Sequence, residues 1–522
     1  MTSTIRDYTA LYARCREGFR QAAEDNGWKV TAVVHPLSEA AEITVDVARI
    51  GPEDATQVLF VLSGVHGTEL ETGSNAQQDL LHRLPEARPR QMAVVLIHGV
   101  NPHGCARLAR TDEANVDPNR NLRAVLEPRP RNPAYDDLHH ALCPEDWTGP
   151  GRARADAEIT AFVEKKGLRA LTQEVLRGQY DHPDGLFYGG RETSWTVANL
   201  ENLLKTHGAG AEQIAVLDIH TGVGPKGWGE LIRLDRAAVD EAEWAGIGGC
   251  VCDLADRVGC AKPPLKVIIE FGTREFRRVI DALRGDNWQR HHPASDAARA
   301  EIKNTLYSAL ICANPEWRAG VVGQTRAAAH ALMRELTGRT TQTDRAVDAF
   351  GRALSAARTP GAAYRALQDL AQAVIGARLF TIMEFADGAQ AGQRIYSNEP
   401  ESYPVSGIIP LSENLWFETT VRNRRPFVAN DAAGLEKVFA DHALIASLGC
   451  ASVLNLPVTL DGQLAATVNL LDGQGHYEQA RVTLAQEVLA EPARAAIRME
   501  RSLRAAPEGP GPQPQPAPDQ TV

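Results

Sequence analysis

Val58-Leu-Phe-Val-Leu62 runs directly into Ser63-Gly-Val-His66-Gly-Thr-Glu69, and this stretch decides the fold. Five consecutive apolar residues of this kind read as a strand buried on both faces, which places a sheet between layers of helix. The pattern recurs. Ala93–Ile97 (AVVLI) leads into His98-Gly-Val-Asn-Pro-His-Gly104, Ile214–Leu217 (IAVL) into Asp218-Ile-His-Thr-Gly222, and Val267–Ile269 (VII) into Glu270-Phe-Gly272. Helical candidates such as Ser74–Leu84 and Leu200–Thr206 lie between these runs. The reading is α/β, with polar groups presented at strand ends, where open α/β sheets keep their ligand sites.

The chain has 522 residues, more than one core usually serves, so two domains or more are expected. Its 43% apolar and 23% charged composition is that of a globular protein. Fifty-five Lys plus Arg against 66 Asp plus Glu give a net charge of −11. Such a chain has no overall attraction for nucleic acid or anionic lipid, so neither is expected as a partner. No run of about 18 apolar residues suggests a membrane span. The segment Met1–Asn26 is rich in charge and does not read as a signal peptide. Eight scattered cysteines fit a reducing, cytoplasmic setting better than a disulfide framework.

The first chemical candidate is His66-x-x-Glu69, where an imidazole and a carboxylate can converge on one ion. Taken singly the pattern is cheap, because 15 histidines give about one such match by chance. His220 is the best third ligand, since it too stands where an apolar run stops. His, Glu and His with an open position make a catalytic rather than a structural zinc site. Cys250, Cys252 and Cys260 match no zinc spacing and read as buried thiols. Glu270 ends another apolar run; a carboxylate there needs a partner or a task, and general base is the task that fits. Asn119-Arg120-Asn121, in a proline-containing loop, suits recognition of an anionic group or, alternatively, a loop knitted by asparagine side chains.

In this order the elements are similar to those of the zinc carboxypeptidase superfamily, which includes the pancreatic-type enzymes and the aspartoacylase/succinylglutamate desuccinylase branch. More narrowly, the run Ala109-Arg-Thr-Asp-Glu-Ala-Asn-Val-Asp-Pro-Asn-Arg-Asn121 resembles that of a carboxypeptidase-like family of uncharacterised function. The resemblance spans roughly residues 5 to 325 and implies a mixed central sheet sandwiched by helices. It implies one Zn2+ on His66, Glu69 and His220, with Asp117 orienting the first histidine. Arg110 would polarise the scissile carbonyl, with Arg107 as the fallback. Asn119 and Arg120 would grip a substrate carboxylate, and Glu270 would be the base. The lid tyrosine of the digestive enzymes is absent between residues 221 and 269; Tyr188 and Tyr307 are the candidate replacements. An insertion from Cys143 to Gly190 is expected to roof the cleft and restrict it to small substrates.

Residues 1–330 are thus expected to form the catalytic domain, 331–344 a linker, 345–503 a smaller α+β domain and 504–522 a Pro-rich disordered tail. In the second domain Thr343 is expected to cap a helix, Thr359-Pro360 to open another, and Gly376 to stop it. Strands are expected at Leu379–Phe385, Ser452–Val458 and Leu464–Leu471, with a hairpin at Leu460-Asp461-Gly462. A last helix, from about Glu478 to Leu503, should break at Pro492. The stretches Arg394–Tyr403, Arg425–Val428 and Asn455–Val458 resemble a GAF domain, which implies a small-molecule pocket or a homodimer interface. Two functions follow: a zinc-dependent hydrolase of a small carboxylate-bearing amide, or a non-catalytic sensor built from the same two modules.

Overall fold

A computed structural model describes residues 8–39, 42–235, 248–386 and 390–505. The chain divides into two units between Gly351 and Arg352. The first holds strands β1 (Val30–Val34), β2 (Thr44–Ile50), β3 (Gln57–Leu62), β4 (Met92–His98), β5 (Gln213–Lys226), β6 (Gly229–Arg233) and β7 (Leu265–Gly272). They form one sheet in the order β1-β2-β4-β3-β5-β7-β6. Neighbours among β4, β3, β5 and β7 are parallel, and β1, β2 and β6 flank them antiparallel. The sheet is therefore mixed.

Both faces are covered, as the continuous apolar runs require. Leu59, Val61, Leu96 and Leu217 pack with Phe19, Leu80, Trp317 and Leu332 on one face. Phe60, Leu62, Val95 and Val216 pack with Val197, Leu204 and Leu254 on the other. The expected helices lie within Leu70–Ala87 and Trp195–Gly208. Strand β3 is flanked by β4 on one side and β5 on the other, so the chain turns in opposite directions from this point. The crevice at the carboxyl ends of β3 and β5 is such a switch point.

Strand β5 runs further than its apolar run suggests. Asp218–Gly222 does not turn away after Leu217 but continues in β5, because Ile219, His220 and Thr221 stay paired with Ile269, Glu270 and Phe271 of β7.

The second unit has strands β8 (Leu379–Ala386), β9 (Ala391–Ser397), β10 (Ile409–Pro410), β11 (Phe427–Ala429), β12 (Ser452–Leu460) and β13 (Gln463–Asp472). They form an antiparallel sheet in the order β10-β9-β8-β13-β12-β11. The expected hairpin joins β12 to β13, with Asp461 and Gly462 both at positive φ (51° and 78°), which matches the right-handed strand twist. Helix Pro360–Val374 opens on its proline, and Gly376 follows at φ 85°.

Two expectations fail here. The helix Gln342–Ser355 is capped by Thr341, not Thr343: Asp344 N–H donates to Thr341 Oγ1, and Asp344 Oδ2 accepts from Thr341 N–H, a reciprocal cap. Helix Gln479–Ala505 runs through Pro492 unbroken. Leu489, Ala493, Ala496 and Ile497 are buried on its inner face, and this packing outweighs one missing hydrogen bond. Of the expected tail, 504–522, Arg504 and Ala505 belong to this helix and the residues from 506 on lie outside the described residues. Among the described residues no helix is long and apolar enough to cross a membrane.

His98, at the end of β4, is fully buried, stacks on Phe19 at 4.7 Å and contacts Ser74 Oγ through Nε2. Burial pushes its pKa down to about 4. The unfolded chain takes this proton near pH 6.5, whereas the folded chain refuses it until about 4, so stability falls as pH falls through that window. The whole interval corresponds to about 3 kcal/mol. Denaturation free energies measured from pH 7 to pH 4.5 are expected to drop less steeply in His98→Gln.

Candidate metal centre

The turn after β3 places His66 and Glu69, and a short helical turn, Gly67–Glu69, brings their side chains together. His66 Nδ1 lies 3.1 Å from Glu69 Oε1. From β5, His220 Nδ1 lies 3.0 Å from Glu69 Oε2, which also accepts from Thr221 N–H at 2.9 Å. One ligand atom from each of the three residues lies within 4.8 Å of the others, and all three residues are buried. Ligand atoms about 2.1 Å from a tetrahedral ion stand roughly 3.4 Å apart, close to the separations seen. The donor set and its burial fit a metal ion, and among the described residues no other His/Cys/Asp/Glu group does.

The opposite ring nitrogens are also held. His66 Nε2 lies 3.1 Å from Asp117 Oδ1, and His220 Nε2 lies 2.6 Å from Asp218 Oδ2. Both imidazoles therefore turn Nδ1 to the centre and Nε2 to a carboxylate, the arrangement that fixes the tautomer of a metal-binding histidine. Asp117 caps the short helix Pro118–Asn121 through Asn119 N–H, and Arg110 Nε donates to its Oδ2 at 3.0 Å. Asp218 is the residue that the sequence reading missed. Its signal is the alternation Ile214, Val216, Asp218, His220 along one face of β5, where a carboxylate follows two core residues.

Charge is arranged accordingly. Burial alone would raise Glu69, but the imidazoles of His66 and His220 hold its carboxyl far below the usual range. Burial opposes a charge on His220, yet Asp218 and Glu69 hold its pKa well above the ordinary value. Asp117 is likewise buried and held low by Arg110 and His66. Glu270 goes the other way. Burial first, then the neighbouring charge of Glu69, pushes it up to about 8. It stands beside His220 in the sheet register, and its Oε1 accepts from Val223 N–H at 3.0 Å.

Arg110 joins this group, with Nη1 3.6 Å from Glu69 Oε1, whereas Arg107 is exposed at the end of the helix Pro102–Arg107. Asn119 lies beside His220, its Nδ2 3.1 Å from Nε2, while its Oδ1 accepts from Val251 N–H. Arg120 is buried and donates to the carbonyls of Leu176 and Asn119. The insertion reaches the centre through Phe187, whose ring lies under the guanidinium of Arg110 at 4.5 Å and that of Arg120 at 5.8 Å. Of the candidate lid residues, Tyr307 donates to Glu71 at 2.6 Å, and Tyr188 is buried with its carbonyl accepting from Asp117 N–H. Cys250 and Cys252 are buried free thiols.

Fold and site together define an α/β protein with a buried His/Glu/His cluster at the switch point of its sheet. The chain belongs to the family described as "Protein of unknown function (DUF2817)", whose model matches residues 8–246 and 245–324. A GAF domain model matches residues 357–498, in the second unit. No curated protein matches the chain. Among solved structures, a "putative metallopeptidase" from Shewanella amazonensis SB2B is 14% identical and covers 58% of this chain and 94% of its own, with a TM-score of 0.30. The GAF domain of a two-component sensor histidine kinase from Bacillus halodurans is 13% identical, covers 28% and 97%, and has a TM-score of 0.24. The GAF domain of a phosphoenolpyruvate-protein phosphotransferase from Coxiella burnetii is 14% identical, covers 31% and 94%, and has a TM-score of 0.26.

The turn that bears His66 and Glu69 is pressed against the helix Pro102–Arg107. A Cβ on Gly67 would stand 2.1 Å from the carbonyl carbon of Gly104 and 2.2 Å from Cys105 N. Backbone, not a side-chain tip, is in the way. Gly67→Ala is expected to cost at least about 2 kcal/mol of stability and to lower metal stoichiometry, read by thermal melting and elemental analysis.

Proposed function

We propose that the first unit is a zinc-dependent hydrolase that cleaves an amide bond in a small carboxylate-bearing substrate, such as an N-acyl amino acid or small peptide. The observation that carries this reading is the convergence of His66 Nδ1, Glu69 and His220 Nδ1 in a buried crevice beside Glu270 and Arg110. Zinc bound there would supply Lewis acidity and make a nearby water a good nucleophile at neutral pH.

The chain's own residues do the rest. Asp117 holds Arg110 by Nε, so the guanidinium is fixed where a carbonyl oxygen gaining charge can be met by N–H donors. Glu270 is anchored through Oε1, which leaves Oε2 to take a proton from the attacking water and hand it to the departing amine. A nearby cation favours the carboxylate form that the first of these steps needs. Arg120 commits Nε and one N–H on each terminal nitrogen to carbonyls. Of its five donors, one on each terminal nitrogen remains, which suits a carboxylate fork. Asn119 stands beside it as the second group of this grip. Phe187, packed on both guanidiniums, supports a tight roof and a small substrate. The free cysteines support a reducing, cytoplasmic setting.

The test is a screen of N-acyl amino acids, dipeptides and neutral amides with zinc-loaded protein. Glu270→Gln is expected to lower kcat by about 10²–10⁴-fold while zinc stoichiometry stays at one. Unchanged turnover in that variant would remove the mechanism, and zinc binding without turnover of any amide would favour the sensor reading. Arg120→Ala is expected to raise KM at least about tenfold for carboxylate-bearing substrates and to leave neutral amides unaffected. Equal losses on both would sink the anion grip.

A further inference from the structure

The two imidazoles of the centre are backed by carboxylates of different kinds. Asp117 is shared: it bonds His66, accepts from the Asn119 N–H and pairs with the Arg110 guanidinium, so much of its charge is neutralised. Asp218 is not shared. It is completely buried, its Oδ2 lies 2.6 Å from His220 Nε2, and its Oδ1 accepts no hydrogen bond among the described residues. No cation lies within ion-pair distance of it there other than the His220 ring.

A buried carboxylate with a single partner is costly, and an amide or a small apolar side chain would fill the same place at less cost. The position is also tightly specified. Along this face of β5 the preceding residues, Ile214 and Val216, belong to the apolar core, and Val251, Cys252 and Leu254 pack against the same layer. A charge set into such a layer acts on what it touches, with little screening by water. It touches His220.

We infer that Asp218 is a positioning residue that sets metal retention: it holds His220 with Nε2–H outward and Nδ1 toward Glu69, and lends the ring its full negative charge. The inference rests on the proposed metal site. It makes the two histidines unequal. His66 leans on a carboxylate already engaged by Arg110, whereas His220 leans on one engaged by nothing else, so His220 is the stronger donor and the anchor of the set. Carboxylate partners of this kind raise ligand basicity, and their loss typically weakens metal affinity by about 10–100-fold.

The experiment uses the full-length chain, stripped of metal and titrated with zinc against a chromophoric chelator. Asp218→Asn keeps the shape and an acceptor but removes the charge; Asp218→Ser is measured beside it in case the first variant does not fold. Leu332→Ala, on the opposite face of the sheet, serves as a control that lowers stability without touching the centre. Zinc affinity is expected to fall about 10–100-fold in the Asp218 variants and to stay at the wild-type value in Leu332→Ala. The visible absorption of the Co2+-loaded protein should shift in the Asp218 variants alone. Wild-type affinity in those variants, or a loss no larger than that in Leu332→Ala, overturns the inference and leaves the metal site standing. Failure of the unaltered protein to bind zinc overturns the proposed function itself.

Discussion

One carboxylate organises the first unit. Glu69 is buried in the crevice, between two imidazoles and a backbone N–H. A buried negative charge of this sort is tolerable only if its partners are already in place. Those partners arrive from distant parts of the chain, His66 from the turn after β3 and His220 from within β5. The order of strands follows from the same demand: β3 and β5 must be neighbours, and their carboxyl ends must open at the point where the connections diverge.

Much of this was legible in the amino-acid sequence, for a physical reason. Buried parallel strands are apolar throughout, so any polar residue at their ends stands out against the run that precedes it. His66, Glu69, His220 and Glu270 were found in that way. Asp218 does not stand out in this way, because DIHTG reads as the end of a strand. Its side chain acquires meaning only once the strand is known to continue and alternate residues are assigned to a face. Phe187 lies within the expected insertion, but its place against Arg110 and Arg120 depends on contacts remote in sequence. Its positive φ of 53° is unusual for an aromatic residue.

The second unit shows the converse. The two-residue turn at Asp461-Gly462 could be read at once, since only residues tolerant of positive φ fit a tight hairpin. Pro492 misled, because a proline's local penalty says nothing about the packing that holds a long helix together. In the first unit, Thr341 is harder to see for a smaller reason. Its partner Asp344 lies three residues on, and it is this spacing, rather than nearness to the first apolar residue, that marks the start of a helix.

The contact between Gly67 and Gly104 bears on how proteins built this way can diversify. A helical turn and a helix that touch through bare backbone leave no room for a bulkier residue at the contact. The segment from Cys143 to Gly190 meets the centre through a side chain instead, with Phe187 against the two arginines. If the proposed function holds, variation in specificity is channelled to that side of the crevice, while the side bearing His66 and Glu69 is held by lack of space.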